Sequence, residues 1–426
     1  MTLNVLGGDS DVDSSKLHLK FGHQNAQPDD DTGGPSAALD APKQTTTNNT
    51  PTFITDVNTI TKRLQQAQIL EEECKIFDAA ALLADIDPKH YQPIHRDIIK
   101  EAQLFRRLLQ DSTSPIIASN TTTTTDSKNG HTNNNNTNEW IKQGEQHGNR
   151  HDFSMYYKVS PTNQITCRLE TPIESQLLIP ILAVLNESEL YPTWIPSFKV
   201  PRLEVVKSEK LCQLGRVKQI ILVETDVPWP IARRELILKA VACDDIIDSS
   251  DHHHDGHDSV VDDGNEEEEE DDDNEGRKDK GTSRILVRIQ SLDCEDNGDD
   301  GLEILPATKG VRIKVDGGFV FEKCPKDHPM ANTTTSSSSS TGDDNLILLT
   351  FTFSVDPKLS ILPQSVLNFF LRTAMRQIWG MFLHVAEEVG DGKRRAHSEA
   401  IERKREVLYN WVEERTNAML HRSKSK

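Results

Sequence analysis

Four histidines, His252, His253, His254 and His257, lie among Asp251, Asp255 and Asp258, and imidazole beside carboxylate is a donor set that divalent metal ions accept. A metal centre also needs its ligands held in place. The surrounding stretch 244–280 carries eighteen Asp and Glu against three Lys and Arg, so it cannot bury enough apolar surface to offset ordering and reads as a solvated loop without a metal site. Cys74, Cys167, Cys212, Cys243, Cys294 and Cys324 form no Cys-x-x-Cys pair and read as reduced structural thiols. The chain has no Gly-x-Ser-x-Gly elbow, no Gly-rich phosphate loop and no His-Glu-x-x-His. Gly317-Gly318, between Asp316 and Phe319, reads as turn or bulge chemistry rather than a nucleotide fingerprint. His328, His384 and His397 have no sequence-local partners. No catalytic constellation, metal or cofactor is therefore expected, and the chemistry left is non-covalent binding.

The elements around these residues fall into segments. Residues 1–52, rich in Asp, Gly, Pro, Thr and Asn, are expected to be disordered. Over 55–85 apolar residues recur at helical spacing (Val57, Ile60, Leu64, Ala67, Cys74, Phe77, Ala81) until Asp87-Pro88 breaks the pattern. Ile94, Ile98, Ala102, Phe105, Leu108 and Leu109 repeat it, predicting a helical hairpin over 53–110 that packs on the main domain or holds a protein partner. A Thr/Asn linker, 111–138, leads to a globular domain over 139–390.

In that domain Ile165, Cys167 and Leu169 alternate with polar neighbours, as in a half-buried strand. A helix is predicted from Pro172 to about Asn186, and strands at 202–207, 214–225, 233–243, 284–293, 309–323 and 345–355. Low-complexity inserts at 244–282 and 330–344 fall between strands, where loop entropy grows slowly with length. A long helix follows from about Pro363, with Val366, Leu367, Phe370, Leu371, Ala374, Ile378, Phe382, Val385 and Val389 as its apolar stripe, stopped by Gly390 and Gly392. Strands in series followed by one helix argue for antiparallel α+β architecture. Residues 391–426 form a basic segment of ten Lys/Arg and six Asp/Glu, with a second amphipathic helix over 397–421.

The strand and helix over 164–198, the aromatic loop Tyr191-Pro192-Thr193-Trp194-Ile195-Pro196, the turn Val227-Pro228-Trp229-Pro230 with Arg233-Arg234-Glu235, and Asp356-Pro357 before the long helix together resemble the START lipid-transfer family of the helix-grip superfamily. The resemblance covers roughly residues 139–390. It implies a curved antiparallel sheet around a long C-terminal helix, with a tunnel between them for a lipid or other apolar molecule. By position it implies a lining of Trp194, Trp229, Phe319, Phe321, Phe351, Phe353, Leu367, Phe370, Leu371, Ala374, Met375 and Ile378, with Arg234 beside the Pro-rich turn. An aromatic or Leu at any of these positions also serves as ordinary core. The strands flanking the turn depart from the acidic-basic pair of sterol-carrying relatives, having only Glu224, Arg233 and Lys239 nearby.

The net charge of −20 resides mostly in the acidic insert, which argues against a nucleic-acid partner. The N-terminus lacks signal-peptide features and no window approaches eighteen uninterrupted apolar residues, so a cytoplasmic protein is expected. Transient membrane contact is expected through the Trp194 loop and the basic helix, unless Leu408 and Trp411 pack that helix on the domain. The leading expectation is lipid binding or transfer without catalysis. The alternatives are a ligand-gated scaffold using the START fold and hairpin, and a helix-grip enzyme of the cyclase or hydratase kind.

Overall fold

The computed structural model describes residues 53–114, 140–146, 151–159, 165–199, 202–227, 232–246, 283–293, 311–331, 346–356 and 364–421, with a few single positions between them. The tail before 53, the linker 115–139, the insert 247–282 with its histidines, Trp229 and the side chains of 364–372 lie outside the described residues. The chain divides into Thr52–Leu292 with Ala307–Lys426, and Met1–Pro51 with Asp293–Pro306. All elements below belong to the first unit; of the second, only Asp293, Ile304 and Pro306 are described.

Alternating strands joined in series build one sheet. They are β1 (Ile141–Gln146), β2 (Phe153–Val159), β3 (Ile165–Glu174), β4 (Phe198–Lys199), β5 (Arg202–Gln213), β6 (Lys218–Asp226), β7 (Arg234–Asp245), β8 (Arg284–Ser291), β9 (Val311–Arg312), β10 (Lys314–Lys323) and β11 (Leu346–Asp356). The order is β1-β2-β3-β11-β10-β8-β7-β6-β5-β4, antiparallel throughout, with β9 added in parallel to β7. The sheet does not close into a barrel, and helices cover both faces.

Period-two alternation sends each strand's side chains to opposite layers. Val241, Cys243, Leu286 and Val320 join the core under three N-terminal helices, while Ile285, Phe319, Phe321, Leu349 and Phe351 join the core on the other face. The first layer holds α1 (Val57–Glu72), α2 (Ile76–Leu83) and α3 (Pro93–Thr113). Asp56 caps α1 by accepting from the Thr59 amide at 2.8 Å, and Pro93 opens α3 where its missing N–H costs nothing. The continuous pattern read over 55–85 is two helices, because Cys74 takes a left-handed φ of 69°. That break shifts the helical phase, so α2 buries Ile76, Ala79, Ala80 and Leu83 while Ala81 is exposed.

Polar groups pin this layer to the sheet. Glu101 of α3 faces Lys239 of β7 at 3.1 Å and Arg288 of β8 at 3.8 Å, all three buried. Ser112 meets Thr352 of β11 at 3.1 Å, and the Asp244 amide donates to the Cys74 carbonyl at 2.9 Å. Ile98, Ala102, Phe105 and Leu108 of the hairpin are therefore buried on this chain's own sheet, while Val57, Ile69 and Ile94 stay exposed.

The opposite face carries α4 (Leu178–Asn186), the long α5 (Gln364–Gly390), α6 (Arg395–Lys404), a π-helical turn over Arg405–Tyr409, and α7 (Asn410–His421). The helix expected from Pro172 starts later. Pro172 lies within β3 opposite Leu348, beyond Glu170 where β2 stops pairing, so its missing N–H falls where the strand has no second neighbour. Gly317 and Gly318 form neither turn nor bulge: both sit in unbroken register inside β10, between β8 and β11. A Cβ at Gly317 would lie 2.1 Å from the Thr352 carbonyl oxygen, and one at Gly318 2.2 Å from that of Val287, so close backbone approach is what demands glycine here. The acidic insert also begins later than 244, since Asp244 and Asp245 end β7 and Ile246 is buried.

Candidate binding site

Two different packings share the inner face. Over β2, β3, β11 and β10 the described side chains form a packed cluster: Met375, Trp379, Phe382, Leu383 and Ala386 of α5 join Phe153, Met155, Leu169, Phe319 and Phe351. Phe319 and Phe351 stack with centroids 4.4 Å apart and Phe351 and Trp379 at 5.6 Å, while Trp379 and Phe382 meet at a tilt, 5.4 Å apart. The Trp379 indole N–H donates to Thr171 Oγ1 at 3.0 Å, giving its polar edge a partner inside the core. Trp379 was missed as a candidate in the sequence, though the 375-379-382-386-389 spacing carries it. That spacing runs one residue off the stripe read through Ala374 and Ile378, both of which are only half-buried.

Over β6, β7 and β8 the inner face is not filled. A cavity of about 90 Å³ lies there, walled by Ile221, Leu238, Ala240, Ala242, Ile285, Val287 and Ile289 from the sheet, Leu182 and Leu185 from α4, and Leu408, Trp411 and Val412 from the C-terminal segment. The paired positions Ile221 with Leu238 and Gln219 with Ala240 place these side chains on one face, and small Ala240 and Ala242 make the room. Polar groups come from Asn186, Gln219, Asp244, Tyr409 and Arg415. The Gln219 amide N–H donates to the Asn186 carbonyl at 3.4 Å.

Charged groups at the margins are paired. Lys404 Nζ lies 2.7 and 2.9 Å from the Glu187 carboxylate oxygens, and the Tyr409 hydroxyl donates to the same carboxylate at 3.3 Å. Burial pushes the Glu187 carboxyl up, but the hydrogen bond and charge of Lys404 outweigh it and hold it below the usual carboxylate range. Arg415 Nε stands 2.6 Å from Asp244 Oδ2, and its Nη2 donates to the Ile246 carbonyl at 3.2 Å. Burial wins at Asp244, raising its carboxyl despite that arginine. His397 is buried and its imidazole is held below the ordinary value, chiefly by burial and then by Arg394.

The other candidates fall as follows. Phe319, Phe321, Phe351, Phe353 and Met375 belong to the packed half or lie against it. Trp194 is buried, with Tyr191 at 5.8 Å and Phe382 at 5.9 Å, so the aromatic loop that looks exposed in the sequence has its indole in the core. Arg234 is buried at the start of β7, donating to the Ala232 carbonyl at 2.6 Å, while Arg233 bridges Glu224 at 3.1 Å and Asp226 at 2.7 Å. Of the candidates with described side chains, none walls the cavity. Trp229, Leu367, Phe370 and Leu371 lie outside the described side chains.

The basic C-terminal segment is packed too. Leu408, Tyr409, Val412, Met419 and Leu420 are buried against the domain, and Lys393, Arg394, Arg395 and Arg405 each lie within 2.9 Å of a carboxylate. Burial raises the Cys74 thiol to about 12 and the Cys324 thiol to about 11, so both stay protonated and poorly nucleophilic near neutral pH. Among the described residues no group of three or more His, Cys, Asp and Glu is placed to hold a metal ion, and no helix is long and apolar enough to cross a membrane.

The chain matches no protein-family model and no curated protein sequence. Among solved structures it is similar to human STARD10, at 13% identity over 65% of this chain and 81% of that one, with a TM-score of 0.37. It is also similar to human StAR-related lipid transfer protein 5, at 14% identity over 60% and 89%, TM-score 0.36. A STAR-related lipid transfer protein fragment from Xanthomonas axonopodis gives 14% identity over 58% and 98%, TM-score 0.34. These are likenesses of the fold alone.

Proposed function

We propose that the protein binds an apolar ligand, a lipid in the first instance, without covalent chemistry, on the inner face of β6, β7 and β8. The observation that carries this is the cavity itself: among the described residues, aromatics of α5, β10 and β11 pack against one another on one part of the gripped face, while over β6, β7 and β8 an open space remains with predominantly aliphatic walls. Such walls favour transfer of hydrocarbon from water by about 0.8 kcal/mol per methylene, and the few polar groups at the margin can orient one head group. Movement of that ligand between membranes is the extension of the same reading. Native mass spectrometry of the full chain incubated separately with oleic acid and with a phosphatidylcholine tests it. One ligand mass added per chain is the expected result; an unchanged mass with both would refute the reading.

A second reading, a scaffold whose interior is nearly closed, is favoured by the volume. About 90 Å³ is small beside the roughly 300–1,000 Å³ of ordinary ligand sites. The same spectrum separates the two, because a scaffold gains no mass.

A further inference from the structure

The cavity is too small for a whole lipid, and the wall that faces the sheet is shared by α4 and the C-terminal segment. Leu408 and Val412 of that segment line the cavity together with Ile221, Leu238 and Val287 of the sheet. We infer that residues 395–421 are an intramolecular occupant of the ligand groove, and that a lipid-sized apolar ligand competes with this segment for the inner face of β6, β7 and β8. The inference rests on the ligand binding proposed above and adds its regulation: the site continues under the segment, and occupancy requires the segment to give way.

Three features support competition rather than a permanent wall. The segment has no place in the sheet's ladders, so release breaks side-chain contacts only. Its described polar ties gather at three places, Lys404 and Tyr409 on Glu187, Arg415 on Asp244 and the Ile246 carbonyl, and the Arg216 guanidinium 5.1 Å over the Trp411 ring. Asp244 lines the cavity and Glu187 follows Asn186 of its wall, so release of the segment takes the cationic partners from both carboxylates. The fit is also incomplete. Besides the cavity, Gln219 Oε1 and His397 Nε2 are buried in this region without a protein hydrogen-bond partner among the described residues. The helix is interrupted by a π-helical turn over Arg405–Tyr409, where it crosses the cavity. Between α5 and α6, Gly392 adopts a left-handed φ of 71°, a joint at which the segment can swing while α5 keeps its aromatic contacts.

Hydrogen exchange on the full chain, with and without an NBD-labelled stearate, tests this, beside titration of the same probe into Lys404→Met. Competition predicts that bound probe speeds amide exchange over 395–421 at least tenfold while β10 and β11 are unchanged. It also predicts that Lys404→Met, which weakens the segment's hold, binds the probe at least fivefold more tightly. Probe binding with unchanged protection over 395–421 and unchanged affinity in the variant would overturn competition and leave ligand binding standing. No binding by either folded protein would overturn both.

Discussion

Replacing Trp379 with alanine lowers folding stability by about 3–5 kcal/mol, the range for removing a large aromatic from a core that cannot collapse around the gap. Trp379 is buried at the meeting point of α5, β11 and β3, stacked on Phe351, close to Phe382 and hydrogen-bonded to Thr171. The substitution opens a void between helix and sheet and leaves the Thr171 hydroxyl without its donor. At about 2–4 °C per kcal/mol for a domain of this size, the thermal midpoint falls by roughly 6–20 °C. Trp379→Phe keeps the stack and loses only the hydrogen bond, so it should cost about 1–2 kcal/mol beyond its smaller volume. Equal midpoints for wild type and Trp379→Ala, read by calorimetry, would mean that α5 is not anchored by this aromatic cluster.

Glu101→Gln should have a comparable effect from the other side of the sheet. The carboxylate faces two buried cations, Lys239 and Arg288, and removing one partner of a buried charge cluster costs about 3–5 kcal/mol because the remaining charge is left uncompensated. Asp316, 2.9 Å from Arg288, offsets part of that, so the loss falls toward the lower end. Urea unfolding measures it. A loss below about 0.5 kcal/mol would show that the N-terminal helices dock through Ile98, Ala102, Phe105 and Leu108 alone, with the ion cluster idle.

The architecture was legible because its signals are local. Alternation at Ile165, Cys167 and Leu169 and the three-to-four spacing through Phe382, Val385 and Val389 depend on neighbours in the chain, and all six are in strand or helix. Boundaries were lost where tertiary context decides. Pro172 is tolerated in a strand because of where β2 ends, and Cys74 breaks a helix with no glycine or proline to announce it. Gly317 and Gly318 are explained only by strands thirty residues away on either side. The cavity over β6, β7 and β8 was harder still to read. Aromatic residues drew attention to the β10, β11 and α5 half, where they pack against each other. The unfilled half is marked by small and aliphatic residues, Ala240, Ala242, Leu238 and Val287, whose sequence signature is that of any buried strand. Nothing in the spacing of 397–421 says that its apolar side lies over that gap.

The central claim is that an apolar ligand occupies the space above Ala240. Phenylalanine there projects from β7 into the cavity, on the face of the sheet away from the N-terminal helices, and overpacking of this kind costs about 1–3 kcal/mol, which a folded domain can sustain. The decisive measurement is the dissociation constant of NBD-labelled stearate for the wild-type chain and for Ala240→Phe, with matched circular dichroism. A loss of affinity of tenfold or more in the folded variant is the result this account predicts, and equal affinity would contradict it.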